Sequence, residues 1–224
     1  MLILLIVLAL AIFVLPNLWA KWVLKRHTRG RDDYPGTGAE LAEHLIRRMG
    51  MEGVRVERTE QGDHYDPEAR CVRLTPDHYD GRSLTAVTVA AHEVGHAIQH
   101  HEGYAPLLAR SRLVQVAQKA EKLGAILMMA APFLFVLTRL PGGLAVVIAM
   151  AVISFGTAAL VHLVTLPVEF DASFNRALPL LKEYVPPADM AGARHVLTAC
   201  AFTYVAASLA SVMNLGRWLV ILRR

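Results

Sequence analysis

The sequence predicts a mainly α membrane protein, with about four hydrophobic helices and a small α+β polar region. Three observations lead there. The 224 residues are 54% hydrophobic and have a mean hydropathy of +0.38, above what a soluble domain of average composition carries. Apolar stretches approaching the thickness of a bilayer recur four times. The polar residues collect between those stretches, in one long block over residues 25–122 and a shorter one over 167–195.

A bilayer core about 30 Å thick takes about 20 apolar helical residues. Residues 1–24 carry no charge before Lys21 and are followed by Lys25, Arg26, Arg29 and Arg31. Their apolar core is too long for a cleaved signal and lacks a small-residue cleavage site, so they read as an amino-terminal anchor. Residues 123–166 read as a helical hairpin turning at "RLPGG". Its first arm, Leu123–Thr138, is short unless the amphipathic "SRLVQVAQKAEK" extends the same helix. Residues 196–224 hold a last hydrophobic helix over Val196–Leu215, rich in Ala and Ser and suited to close helix packing.

In the polar block, "TGAELAEHLIRRMGMEG" predicts an amphipathic helix with Thr37 as N-cap, Glu40 completing a capping box and Gly50 near the end. "VRVER" and "RCVRLT" alternate between turn-like "EQGD" and "TPD", which predicts two short strands in an antiparallel pair. Ser83 then opens a helix of about 18 residues containing "TVAAHEVGHAIQHHEG".

That helix carries the chemistry. Residues i and i+4 share a face, so His92 and His96 can offer imidazole nitrogens to a single zinc ion at about 2.0–2.1 Å. Glu93 is turned about 100° from His92, so it can sit beside the ion and act as general base on an activated water. Buried between "VTVAA" and "AI", three such polar residues would cost several kcal/mol without a partner, and a metal is an economical one.

A third ligand is needed. The metzincin pattern would place Gly and His where Gln99 and Glu102 stand, which excludes that class. His100 shares the face of His92 but lies about 12 Å along the axis, too far to share its ion. With His101, it fits a solvated helix end. "LPVEFDAS" offers Glu169, which could bind the ion from a second helix or could simply be a helix-start acid. On an ideal helix Glu169 and Ser173 share a face, while Asp171 points about 200° away.

"DHYDP", "SLTAVTVAAHEVGHAIQ", "LPVEFDAS" and "TYVAASLAS" together resemble the YugP-type family of bacterial membrane-bound neutral zinc metallopeptidases, over nearly the whole chain. The resemblance implies a zincin-like polar region, one Zn2+ per chain, His92 and His96 as ligands and Glu93 as general base. Similarity to the wider gluzincins, including the HtpX-type membrane peptidases, makes Glu169 the third ligand. In that wider group an aspartate four residues after the ligand glutamate often orients a ligand histidine. Here Ser173 stands in its place, so the role is open between Ser173, Asp171 and another acid such as Asp66 or Asp77. His195 and Tyr204 are candidate donors to the oxyanion of the tetrahedral intermediate, and His162, inside a hydrophobic stretch, is a suspect by position.

The expected function is a membrane-anchored zinc endopeptidase acting on proteins or peptides, with membrane protein quality control as a plausible setting. Two other classes compete. A site-2-type intramembrane protease would place its zinc helix in the bilayer, whereas this helix is flanked by "DGRS" and "HHEG". A zinc-binding scaffold would have no use for Glu93, because structural sites are usually closed by four protein ligands.

The balance of 23 basic to 19 acidic residues suits anionic lipid better than nucleic acid, for which there is no motif. Two cysteines, one in the polar block and one in an apolar stretch, suggest no disulfide framework. Basic residues after the first stretch point to a multi-pass bacterial inner-membrane protein with its catalytic region in the cytoplasm. Oligomeric state and specificity leave no mark in the sequence.

Overall fold

The computed structural model describes residues 2–31, 33–138, 161 and 164–203. The helices are α1 (Leu2–Arg26), α2 (Gly38–Arg48), the short α3 (Pro76–Tyr79), α4 (Leu84–His101) and α5 (Ala105–Thr138). After them come α6 (residues 164–170), a π-helical turn over Asp171–Ala177, α7 (Leu178–Tyr184) and α8 (residues 190–203). Strands β1 (Arg55–Arg58), β2 (His64–Asp66) and β3 (Cys71–Leu74) form one sheet.

α2 starts where its sequence says it should. The Thr37 side chain accepts from the Glu40 amide at 3.2 Å, and the Glu40 carboxylate accepts from the Thr37 amide at 2.7 Å. Two of the amides orphaned at a helix start are thereby satisfied. Its apolar side, with Leu41, Leu45 and Ile46, is buried, and the chain leaves through Gly50 at a φ of 63°.

The sheet differs from expectation in two ways. Its order is β1-β3-β2, with β1 parallel to β3 and β2 antiparallel to β3. The expected antiparallel pair is thus a parallel one, and a third strand runs directly after the turn-like "EQGD". The cause is the β2–β3 hairpin. The Asp66 carboxylate accepts from the Glu68 and Ala69 amides at 2.9 and 3.0 Å, and Arg70 takes a left-handed φ of 49°. This tight reversal pairs β3 with the segment just before it, and β1 is left to join the other side of β3.

α4 is the central element. Every residue from Leu84 through Gln99 is buried, Ser83 caps its start by accepting from the Ala86 amide at 3.1 Å, and α2, β3 and the π turn pack around it. Leu45, Val72, Leu74, Val94, Leu181 and Leu197 are wholly enclosed in the core so formed. Full burial of such a side chain contributes about 1.5–3 kcal/mol. Cys71 and Cys200 are free and buried.

The expectation of about four membrane-crossing hydrophobic helices needs correction. Among the described residues no helix is long and apolar enough to cross a membrane; the fold is mainly helical with a small sheet. α1 holds Pro16, Asn17 and Lys21 in its later half, α5 opens with Arg110, Arg112, Gln115 and Lys119, and α8 carries Arg194 and His195. α5 does continue from the amphipathic stretch into Leu123–Thr138 as one helix. The "RLPGG" turn, most of 142–166 with His162, and the end of the last stretch with Tyr204 lie outside the described residues.

Candidate metal centre

Two helices meet at the motif because one of them gives way. Gly95 faces the π turn, and a Cβ placed on it would stand 2.6 Å from the Ala172 carbonyl oxygen. Only glycine permits that approach. It brings Glu169, at the end of α6, against the face of α4 that carries His92 and His96.

The three side chains converge. Glu169 Oε2 lies 3.3 Å from His92 Nε2 and 3.2 Å from His96 Nε2. The candidate donor atoms all lie within 4.8 Å of one another, and all three residues are buried.

The far nitrogens of both rings are held by other groups. Ser173 Oγ donates to the Leu197 carbonyl at 3.3 Å, so towards His92 Nδ1, 3.0 Å away, it acts as acceptor. Gln99 Nε2 donates to the Val168 carbonyl and to Asp171 Oδ2, each at 2.8 Å, which turns Gln99 Oε1 to His96 Nδ1 at 3.0 Å. Both imidazoles therefore carry a hydrogen on Nδ1, which leaves Nε2 to face the carboxylate. With the rings neutral, three acceptors point at one spot and repel unless a cation, a proton or a metal ion, stands between them.

The electrostatics agree. Burial alone would push Glu169 up, but the charges and hydrogen bonds of His96 and His92 outweigh it and hold the carboxyl well below its ordinary range. Burial lowers His96, and Glu169 more than reverses that, so its ring is pushed up. The spot between them favours positive charge. Two imidazoles and one carboxylate are the donor set of a zinc site with an open position, so these residues fit the ion that the motif implies.

Glu93 stands apart from this trio. It is buried, and burial pushes its carboxyl up against the opposing pull of His92 and His96. With His96 it lines a cleft of about 280 Å³. One wall is β2 and the start of its hairpin; the other is the first part of α5, including Arg110 and Val114. Arg110 Nη1 reaches Glu169 Oε1 at 3.2 Å. No donor is aligned on that oxygen as a hydrogen bond, so the two meet as charges.

The other expected residues are placed as follows. Ser173 touches His92, whereas Asp171 reaches His96 only through Gln99 and is also bonded by Asn175 and Arg176. Asp66 pairs with Arg73 in the sheet. His195 is exposed on α8 and does not line the cleft, and Tyr204 lies outside the described residues. His100 is half-buried, with Nδ1 2.8 Å from the Tyr65 hydroxyl, so it is not simply solvated. Sequence reasoning passed over Gln99 and Arg110. Gln99 had a readable signal, since it lies three residues after His96 on the same face. Arg110 had none, because only the path of α5 brings it to the centre.

Comparison with known proteins accords with this arrangement. The chain matches, over residues 2–223, the family described as "putative neutral zinc metallopeptidase". A curated relative, the "Putative membrane protease YugP" of Bacillus subtilis (strain 168), is 37% identical over 212 residues, covering 92% of this chain and 91% of that protein. No solved structure matches the chain. On both the match across its length and the identity to that relative, this chain belongs to the putative neutral zinc metallopeptidase family.

Proposed function

We propose that this protein is a zinc-dependent endopeptidase that works at a membrane, with His92, His96 and Glu169 as metal ligands and Glu93 as general base. The observation that supports this most is the convergence of two Nε2 atoms and one carboxylate oxygen within 4.8 Å, beside a buried glutamate that is not one of them. Zinc bound there would supply a Lewis acid, bringing the pKa of a water towards about 7 and polarising the scissile carbonyl. The chain's own residues do the rest. Glu93 takes the proton of the attacking water and returns it to the leaving amine. Ser173 and Gln99 hold the two rings in the tautomer that presents Nε2. The cleft between β2 and α5 holds the substrate and limits water.

Work at a membrane is supported by the name of the relative and by the surface of α1. Leu15, Leu18, Trp19 and Trp22 are exposed there beside Lys21, Lys25 and Arg26. Aromatic and basic side chains together suit an anionic headgroup layer, which favours the cytoplasmic side. Membrane-associated or misfolded proteins are then the natural substrates. A scaffold role would leave Glu93 without a task.

The test is cleavage of casein by the purified, detergent-solubilised protein. Cleavage should stop on chelation and return with stoichiometric zinc. A protein that binds zinc tightly and cuts nothing would refute the peptidase reading.

Gln99→Leu provides a second check. It keeps the bulk and removes the acceptor for His96 Nδ1, leaving Asp171 and the Val168 carbonyl without their shared donor. Groups that orient metal ligands in this way are typically worth about 10- to 100-fold in metal affinity. Zinc titration of the metal-depleted protein should show a loss of that size; wild-type affinity would mean that Gln99 serves packing alone.

A further inference from the structure

Arg110 is used by neither the motif nor the base. It belongs to α5, it lines the cleft with Glu93 and His96, and its Nη1 stands 3.2 Å from Glu169 Oε1 with its side chain 19% exposed. The guanidinium thus borders both the buried carboxylate and the space where a substrate must lie. No N–H is aligned on Glu169 Oε1 as a hydrogen bond, so the contact between the two is one of charges.

Rest on the peptidase reading, and a charge has to be met in that cleft. Attack forms a bond from the water oxygen to the carbonyl carbon, the C=O π pair moves onto oxygen as an oxyanion, and the water proton goes to Glu93. Collapse re-forms C=O, breaks C–N and sends the proton from Glu93 to the amine. Beside the metal, which would polarise that carbonyl, the oxyanion gains from a preorganised donor. The donors expected from sequence do not supply it among the described residues, since His195 lies off the cleft. His64 Nδ1 is 2.8 Å from the Gly62 carbonyl, so it gives its hydrogen there, and the Tyr65 hydroxyl is engaged with His100. Arg110 brings a permanent positive charge and does not change protonation during the step.

We propose that Arg110 is a catalytic residue whose guanidinium stabilises the oxyanion formed from the scissile carbonyl.

The experiment compares full-length wild type, Arg110→Lys and Arg110→Gln on three readouts: casein turnover, zinc affinity of the metal-depleted protein by calorimetry, and binding of a phosphinic pseudopeptide, whose tetrahedral anionic phosphorus group mimics the oxyanion. In Arg110→Gln, turnover should fall about 10²- to 10³-fold, the cost typical of losing one oxyanion donor. Pseudopeptide affinity should fall in parallel while zinc affinity is unchanged, and Arg110→Lys, which keeps the charge and the fold, should recover part of both losses. Zinc affinity that falls with the pseudopeptide affinity would reduce Arg110 to a prop for Glu169 and overturn the proposal. Undiminished pseudopeptide binding in Arg110→Gln, with binding by wild type, would overturn it while leaving the peptidase reading intact. No binding by zinc-loaded wild type would sink both.

Discussion

Replacing Glu93 by glutamine is expected to lower peptide cleavage by about 10²- to 10⁴-fold, the range that a positioned general base contributes, while the protein keeps its one zinc ion. Glutamine has the shape of glutamate and removes only the capacity to take a proton. Its position makes the substitution clean. Glu93 is buried beside His92 and His96, yet the donor atoms that converge on the ion come from His92, His96 and Glu169. Losing its charge should therefore cost chemistry and spare metal binding. The desolvation that pushes the Glu93 carboxyl up also makes the neutral amide easy to accommodate, so the fold should hold. Metal analysis after gel filtration and casein turnover together decide the matter. Turnover equal to wild type would remove Glu93 from the mechanism, and loss of zinc would make it a ligand.

Glu169→Ala should have the complementary phenotype, with zinc lost and activity lost because of it. Two imidazoles alone are a weak site, and the alanine removes the only carboxylate oxygen within 3.3 Å of either Nε2 among the described residues. It also removes the carboxylate that Arg110 faces at 3.2 Å, so the spot between the rings loses the anion that draws a cation to it. Asp171→Ala is the control, since it removes an acid two residues along without removing a donor atom. Elemental analysis of purified variants should find zinc in the Asp171 variant and not in the Glu169 variant. Zinc retained at full occupancy in Glu169→Ala would move the third ligand elsewhere.

What could be read beforehand was whatever depends on local spacing. The i, i+4 pair of His92 and His96, Glu93 beside it, the Thr37–Glu40 box and the Ser83 start all rest on bonds within one helix turn. Features set by long-range packing were less visible. β2 has three residues, too few for alternation to register, and the parallel pairing of β1 with β3 follows from a hairpin that only the folded chain reveals. Glu169 could be proposed from a face argument and a resemblance, but its meeting with α4 depends on the missing Cβ of Gly95. Arg110 stands just before the stretch weighed for its amphipathicity and drew no reading of its own. Four apolar stretches pointed to four membrane-crossing helices, but no helix among the described residues is long and apolar enough to cross a membrane.

The π turn over Asp171–Ala177 ties the centre to the length of the chain. A wide turn of this kind holds more backbone than the α-helix on either side of it. A helical wheel drawn straight through α6 and α7 therefore misassigns the faces beyond Asp171. Deleting one residue from the turn would rotate everything after the deletion by about 100° relative to α6. Leu178 and Leu181 would swing out of the core, and a deletion ahead of Ser173 would take from His92 the partner on which its orientation depends. Between the third candidate ligand and the core, the number of residues therefore matters as much as their identity, and an alignment of relatives should tolerate substitutions here more readily than gaps.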